Sequence, residues 1–201
     1  MTDISWKFDA KPFAYPDAMA IMMRYVSNQQ QIIWGLQHSN LYTAGIRGNL
    51  AERIGSNNLP IYKTYRGGAI TYHGEGQLVI YSILNLNNYG NDIKQYIIML
   101  ESWIISYLHL HNIDAFTRDG RVGVWVLANN QEQKIAAIGV RLRKWVTYHG
   151  LSLNVNPNME YFKKIIPCGI TNYGVTSLKQ LGYKLTVEDV YNKMKEVFPW
   201  S

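Results

Sequence analysis

The order of the apolar segments is the feature that most restricts the fold of this chain. Three segments have helical character and six have strand character, and the two kinds do not alternate regularly. Regular alternation would favour a doubly wound parallel sheet, whereas strands that outnumber helices favour a mixed sheet with helices packed on it. We therefore predict an α/β protein of the α+β type, with a mixed β-sheet and packed helices.

The three predicted helices have clear local signals. They span residues 17–31, 92–111 and 186–198. In the second, apolar residues recur at steps of three and four, which is typical of a helix with one buried face, namely Ile93, Ile97, Leu100, Ile104 and Leu108. Asp92 precedes this pattern as a helix N-cap. Thr186 and Asp189 have the spacing of a capping box at the start of the third helix.

Six segments between the helices are predicted to be strands. They are rich in Ile, Val, Tyr and Trp, which favour strands, and they span residues 32–37, 61–66, 77–86, 122–127, 134–142 and 151–155. No segment carries a GxxxxGKS/T loop, and no GxGxxG sequence opens a helix. The sequence therefore indicates neither a phosphate-binding loop nor a dinucleotide cofactor.

The chain length sets the expected domain organisation. The 201 residues are 47% hydrophobic and 17% charged, which is typical of a folded soluble domain. We predict a single domain over residues 1–201. Apolar runs stay below the roughly 18 residues of a membrane span, and the N-terminus lacks the apolar region of a secretory signal. We therefore expect a cytoplasmic protein without a membrane partner.

The chain carries a moderate basic excess. Twenty Lys and Arg oppose fourteen Asp and Glu, so the formal net charge is +6, and the basic residues are spread along the chain. This charge is consistent with an acidic partner, either a protein or a nucleic acid. One interpretation is a nonenzymatic nucleic-acid-binding module, since 15 Tyr and 6 Trp offer rings that stack on bases. The diffuse charge argues against it, as does the lack of a helix with a concentrated basic face.

Four segments place glycine next to groups capable of chemistry. They are RGGAITYHGEGQ at residues 66–77, KIAAIGV at 134–140, YHGLSLNVN at 148–156 and IIPCGI at 165–170. The last contains Cys168, and because it is the only cysteine the chain has no internal disulfide. Each segment also has an ordinary structural interpretation, such as a turn, a solvated lysine at a strand end or a buried thiol. Spacing alone does not bring Lys134 near Cys168.

Taken together, the four motifs resemble the octanoyltransferase family of lipoate biosynthesis, also called lipoate-protein ligase B. They follow one another in the order and at the spacings of that family, from about Tyr42 to Leu178. The resemblance implies a fold like the catalytic domain of biotin and lipoate ligases, and no metal or cofactor. Ala69 and Glu75 depart from the family pattern, where Gln and Pro are typical, at positions that concern pocket shape and acyl preference.

The resemblance also implies a role for individual residues. Cys168 matches the acyl-thioester nucleophile, and Lys134 matches the residue that lowers its pKa and serves as general base. The implied acyl-substrate site consists of Arg66, Gly67, Gly68, Ala69, Ile70, Thr71, Tyr72, His73, Ala137, Ile138, Gly139, Gly150, Leu151 and Ser152. His149 is a candidate supporting residue. We expect Ile70, Ile138 and Leu151 to form an apolar slot for the acyl chain.

The implied reaction transfers an octanoyl group from octanoyl-acyl carrier protein to a lysine of an apo lipoyl domain. The acceptors would be the lipoyl domains of 2-oxoacid dehydrogenase complexes and the glycine cleavage H protein, and the enzyme would act as a monomer. Because the donor thioester is already activated, the two acyl transfers through a cysteine need no ATP. The nearest alternative is an ATP-dependent lipoate or biotin protein ligase, which makes an acyl-adenylate and needs no thiol.

Overall fold

The computed structural model describes residues 3–49, 58–165 and 173–200. In chain order the elements of these residues are β1 (Ser5–Phe13), α1 (Tyr15–Ser27), β2 (Ile32–His38), β3 (Leu41–Ala44), β4 (Ile61–Lys63), β5 (Ile70–His73), β6 (Gln77–Ile83), α2 (Ile93–His109), β7 (Ala115–Phe116), β8 (Val124–Ala128), β9 (Gln131–Arg143), β10 (Val146–Asn154), β11 (Gly174–Val175) and α3 (Val187–Glu196). Short 3₁₀ helices span Leu86–Asn88 and Met159–Lys164.

The strands form one large and one small mixed sheet. The large sheet has the order β1-β2-β6-β10-β9-β8-β7, and β11 pairs with β9 in parallel. β1 and β2 are also parallel, while the other neighbours in this sheet are antiparallel. The small sheet has the order β4-β3-β5. The predicted mixed sheet with packed helices is therefore confirmed.

The large sheet buries its two faces against different elements. On one face, α2 and α3 pack through Trp103 and Tyr191 on a cluster that includes Ile80 and Leu151. On the other face, Met22 and its neighbours in α1 pack on Trp34 and the rest of a second cluster. Side chains alternate between the faces along each strand, which explains why every residue of β6 and all of β10 except Tyr148 are buried.

The helix termini follow from local chemistry. The Asp92 carboxylate accepts hydrogen bonds from the backbone N–H groups of Lys94 and Gln95, at 2.7 and 3.2 Å. Thr186 Oγ1 accepts one from Asp189 N at 3.1 Å, so both predicted caps are confirmed. The first helix begins at Tyr15, two residues earlier than predicted, because Pro16 starts it without a side-chain cap. None of the helices in the described residues is long and apolar enough to span a membrane.

Several strands differ from the prediction. β1, β3, β5, β7 and β11 were not predicted. β3, β5, β7 and β11 have only two to four residues, whereas β1 alternates Trp6 and Phe8 with Lys7 and Asp9, a strand pattern that the prediction omitted. The predicted strand at 61–66 ends at Lys63, because the chain then turns through Arg66 and the following glycines. The predicted strand at 77–86 ends at Ile83, because Leu86 begins a 3₁₀ helix.

Candidate active site

A cavity lies on the face of the large sheet that α1 covers only in part. The backbones of β5, β6, β9 and β10 form its walls, together with residues 66–69 and the first residue of α1. It is lined by Tyr15, Arg66, Gly67, Gly68, Ala69, Thr71, His73, Val79, Tyr81, Ala137, Ile138, Gly139, His149, Gly150, Leu151 and Ser152. We call it the acyl cavity.

The acyl cavity gathers three segments that are distant in the chain. All residues assigned to the acyl site by resemblance line it except Ile70 and Tyr72, and His149 lines it as well. Sequence reasoning missed Tyr15 and Tyr81, which lie outside the glycine motifs. Tyr81 reaches the cavity because it pairs with Gly150 across β6 and β10, and only this pairing could have indicated it.

Ile70 and Tyr72 point away from the acyl cavity. Alternation along β5 directs Thr71 and His73 to the cavity and the other two side chains to the opposite side. There Ile70 and Tyr72 are fully buried in a small cluster with Phe162. Ile70 therefore does not contribute to an apolar slot at this site.

Two glycines of the motifs are required for backbone packing. A Cβ atom at Gly150 would lie 2.1 Å from the carbonyl oxygen of Ile80 in the neighbouring strand. A Cβ atom at Gly139 would lie 3.0 Å from the carbonyl oxygen of Gly67. Since Gly67 N also donates to Val140 O at 3.1 Å, Gly139 lets residues 66–69 rest directly on β9, whereas Gly150 allows the close approach of β10 and β6.

Arg66 holds the wall of the cavity in place. Its guanidinium donates to the carbonyl oxygens of Thr43 at 2.7 Å, Gly67 at 2.8 Å and Ala69 at 3.0 Å. The side chain is buried, and charged donors to backbone carbonyls make strong hydrogen bonds. Arg66 therefore anchors its own loop and also places a positive charge beside the cavity.

Three buried histidines lie in or beside the acyl cavity. Burial lowers the pKa of His38 to about 4, and burial together with the charge of Arg66 lowers those of His73 and His149 to about 3. All three rings are therefore neutral at physiological pH. His149 has a left-handed backbone with φ of 60°, and its ring lies beside Tyr148 and Tyr81. Within the described residues, no hydrogen bond is made by this ring.

These histidines predict a loss of stability in mild acid. In the unfolded chain a histidine has a pKa near 6.5. Below that pH the unfolded state therefore binds protons, while the buried rings of the folded state remain neutral. Each ring should lower the free energy of unfolding by about 1.4 kcal/mol per pH unit, from about pH 6 down to about pH 4. Urea unfolding as a function of pH measures this slope. The variant His149→Asn should remove about one third of this slope, whereas the exposed control His109→Asn should leave the slope unchanged. Equal slopes in the two variants would contradict the prediction.

Lys134 lies at a bulge in β9 and is buried. Trp125 pairs with Lys134 while Val124 pairs with Ala136, so one residue of β9 is extra. Lys134 Nζ donates to Val122 O at 3.0 Å and lies 4.8 Å from the centre of the Trp125 ring. Its surroundings thus combine a carbonyl oxygen with an aromatic face, both of which favour an ammonium group.

Glu101 and Gly123 complete the surroundings of Lys134. Gly123 N donates to Glu101 Oε1 at 2.9 Å. Burial raises the pKa of Glu101, while the Gly123 hydrogen bond and the charge of Lys134 act against this rise. Gly123 has φ of +126°, and a Cβ atom there would lie 3.3 Å from Lys134 Cε and 2.7 Å from Ala136 O. The glycine therefore leaves space for the lysine side chain.

A second cavity lies beside the acyl cavity and is lined in part by Lys134. It is lined by Thr71, Gln77, Lys134, Ala136, Ala137, Ser152, Asn154, Phe162 and Val175. Thr71, Ala137 and Ser152 line both cavities. Lys134 and the predicted acyl site therefore line adjacent cavities that share these three residues.

Cys168 lies outside the described residues, as do all of residues 166–172. The described residues on either side of this segment contact the site. Ile165 packs in the small cluster with Ile70 and Phe162, and β11 pairs with Gln133 and Lys134 of β9. Among residues 3–49, 58–165 and 173–200, no group of three His, Cys, Asp or Glu side chains is arranged to hold a metal ion.

The fold is shared with enzymes that attach lipoate to proteins. A bi-partite lipoate protein ligase from Thermoplasma acidophilum superposes with a TM-score of 0.79 at 15% identity, covering 98% of this chain and 83% of that chain. Such low identity establishes the fold alone. The chain therefore has the fold of a lipoate protein ligase.

Sequence comparison identifies the family. The model for the lipoyl protein ligase A/B catalytic domain matches residues 12–199, and the chain belongs to this family. The octanoyltransferase of Wolbachia pipientis wMel is 49% identical over 173 residues, covering 86% of this chain and 84% of that protein. That of Dinoroseobacter shibae is 43% identical over 198 residues, covering 92% and 90%. The protein is accordingly an acyltransferase of the octanoyltransferase group, and the interpretation as a nonenzymatic nucleic-acid-binding module is wrong.

Proposed function

We propose that this acyltransferase moves an octanoyl group from octanoyl-acyl carrier protein to a lysine of apo lipoyl domains through a thioester on Cys168. One observation carries the proposal: the acyl cavity and the cavity of Lys134 share Thr71, Ala137 and Ser152. An acyl chain bound in the first cavity can thus present its carbonyl carbon to the second. The pairing of Lys134 with β11, which follows the Cys168 segment in the chain, also supports it.

In the first step the Cys168 thiolate attacks the carbonyl carbon of the donor thioester. The tetrahedral intermediate expels the pantetheine thiolate, which takes up a proton, and leaves an octanoyl thioester on the enzyme. A free thiol with pKa near 8.5 is only about 3% ionised at pH 7, and a decrease of roughly 1.5 units would ionise about half of it. The Lys134 ammonium supplies an opposite charge that favours this decrease.

In the second step the amine of the acceptor lysine attacks the enzyme thioester. Neutral Lys134 accepts a proton from this nitrogen, an amide bond forms, and the Cys168 sulfur leaves. Thr71 and Ser152 are the candidate side-chain donors to the carbonyl oxygen, because their residues line both cavities. Ala69 and Val79 offer apolar contact to the acyl chain, at about 0.8 kcal/mol for each buried methylene.

The partners follow from this chemistry. We propose that a single domain, acting as a cytoplasmic monomer, accepts the acyl group from acyl carrier protein. Its acceptors are then the lipoyl domains of 2-oxoacid dehydrogenase complexes and the glycine cleavage H protein. The net charge of +6 favours acidic partner domains, chiefly through faster association. His149, with its neutral ring in the acyl cavity, is proposed to support donor binding.

The likeness to a lipoate protein ligase leaves one competing reaction, which is ATP-dependent ligation. Intact-protein mass spectrometry after mixing the chain with octanoyl-acyl carrier protein, without ATP, separates the two. We expect a mass increase of one octanoyl group at Cys168, its removal by hydroxylamine and its transfer to an added apo lipoyl domain. Protein treated beforehand with iodoacetamide is the control. Acylation of the lipoyl domain only with ATP and free octanoate would refute the proposed function.

A further inference from the structure

A chain of buried hydrogen bonds runs from the wall of the acyl cavity toward Lys134. Arg66 Nε donates to Thr43 Oγ1 at 3.1 Å. Thr43 Oγ1 lies 3.2 Å from His73 Nε2, and His73 Nδ1 lies 2.7 Å from Gln77 Oε1. Gln77 Nε2 donates to Asn154 Oδ1 at 2.9 Å. The small sheet and the large sheet are thereby joined through side chains.

The series of hydrogen bonds continues from Asn154 to the strand that carries Lys134. Asn154 Nδ2 donates to Thr176 O at 2.9 Å, and Thr176 N donates to Lys134 O at 3.0 Å. The backbone of Asn154 also accepts from Leu178 N at 2.9 Å. Asn154 therefore ties the residues that follow the Cys168 segment to the end of β10.

In every hydrogen bond of this series, the donor lies on the Arg66 side and the acceptor on the Lys134 side. Arginine can only donate, so Thr43 Oγ1 accepts from Arg66 and turns its own proton to His73 Nε2. A neutral His73 then carries its proton on Nδ1 and donates to Gln77 Oε1. The Gln77 amide is oriented independently, since its Nε2 also faces Tyr72 O at 3.3 Å. The lowered pKa of His73, about 3, agrees with a neutral ring.

The side chains that form this series of hydrogen bonds are almost fully buried. Thr43 is 0% exposed, Gln77 1%, Asn154 4% and His73 9%. A buried polar chain of this length is tolerated only when every group has a partner, and it then fixes one arrangement of its surroundings. Apolar side chains would fill the same space without this requirement, and polar groups that depart from an apolar core in this way are expected at functional sites.

We propose that Asn154 is a positioning residue for Lys134, and that Gln77, His73 and Thr43 couple it to the wall of the acyl cavity. The proposal rests on the proposed function, in which Cys168 is the nucleophile. The coupling holds the Lys134 strand in a fixed arrangement relative to the wall of the acyl cavity. Loss of one link should therefore slow the chemistry and leave donor binding nearly intact.

The variant Asn154→Ala tests this role, with Ser177→Ala as a matched control. Ser177 is equally buried and follows Thr176, but it bonds to Gln180 N and not to Asn154. We expect kcat of Asn154→Ala to fall about 10-fold to 100-fold with KM for the donor nearly unchanged, since small misplacements at a reacting centre have effects of this size. The pH midpoint for alkylation of Cys168 by iodoacetamide should rise by about one unit. Ser177→Ala should change neither.

Thr43→Val removes the hydroxyl that links Arg66 to His73, with little change in side-chain volume. It should shift kcat and the alkylation midpoint in the same direction by smaller amounts, and it keeps the test decisive if Asn154→Ala folds poorly. Unchanged alkylation midpoints in both variants would overturn the proposal. If the wild-type protein forms the octanoyl adduct and both variants behave like the wild type, the positioning role alone is refuted. A wild-type protein without the adduct would refute the proposed function together with this role.

Discussion

Replacement of Cys168 by serine is expected to lower kcat for octanoyl transfer by about 10⁴-fold or more, because single nucleophiles in covalent acyl transfer have effects of this size. A serine hydroxyl stays protonated where a thiol beside an ammonium group ionises, so Lys134 cannot activate it. Formation of octanoyl-lipoyl domain from octanoyl-acyl carrier protein, followed by mass spectrometry, measures the loss.

The fold of Cys168→Ser provides the control for this prediction. Its urea unfolding midpoint and its binding of the donor should match those of the wild type, because only the sulfur atom changes. A variant that retains activity within about 10-fold would contradict the assignment of Cys168. If that remaining activity also required ATP, the protein would act as a ligase.

Replacement of Lys134 by methionine is expected to slow transfer by about 10²-fold to 10⁴-fold, the usual contribution of a positioned acid or base. Methionine keeps an unbranched side chain that packs on Trp125 and beside Gly123. It removes the ammonium charge and the hydrogen bond to Val122 O. The pH midpoint for alkylation of Cys168 should rise toward the value of a free thiol, near 8.5.

The variant Lys134→Arg separates the two roles of the lysine. Arginine keeps the positive charge but does not lose its proton in a protein, so it should preserve much of the low alkylation midpoint while failing as a base in the second step. Enzyme with a stable octanoyl adduct should then accumulate. The exposed control Lys94→Met should behave like the wild type. A normal rate in Lys134→Met would show that the charge and the base come from other residues.

The local signals in the sequence predicted the parts of the fold that depend on near neighbours. The caps at Asp92 and Thr186 identified the starts of α2 and α3, because a cap is made by residues within one helical turn. β1 has a local strand signal that the prediction omitted, since Trp6 and Phe8 alternate with Lys7 and Asp9. Its pairing could not be predicted from near neighbours, because its partner β2 lies beyond α1 in the chain.

The candidate site also combines features that the sequence motifs predicted with features that only the tertiary structure decided. The four motifs, by their resemblance to octanoyltransferases, assigned Cys168, Lys134 and the three acyl-site segments to one function. The tertiary structure decided which side chains of those segments share a cavity. Strand alternation turned Ile70 and Tyr72 away from it, and sheet pairing brought Tyr81 into it.

The sequence by itself therefore determined the mixed fold class, the helix caps and the family to which the motifs point. These properties depend on residues within a few positions of one another, or on motifs that can be recognised whatever their contacts. Only the tertiary structure decided the neutral state of the three histidines and the hydrogen-bond chain from Arg66 to Lys134. Burial and hydrogen-bond partners are set by segments far apart in the chain, and no local pattern encodes which of them will meet.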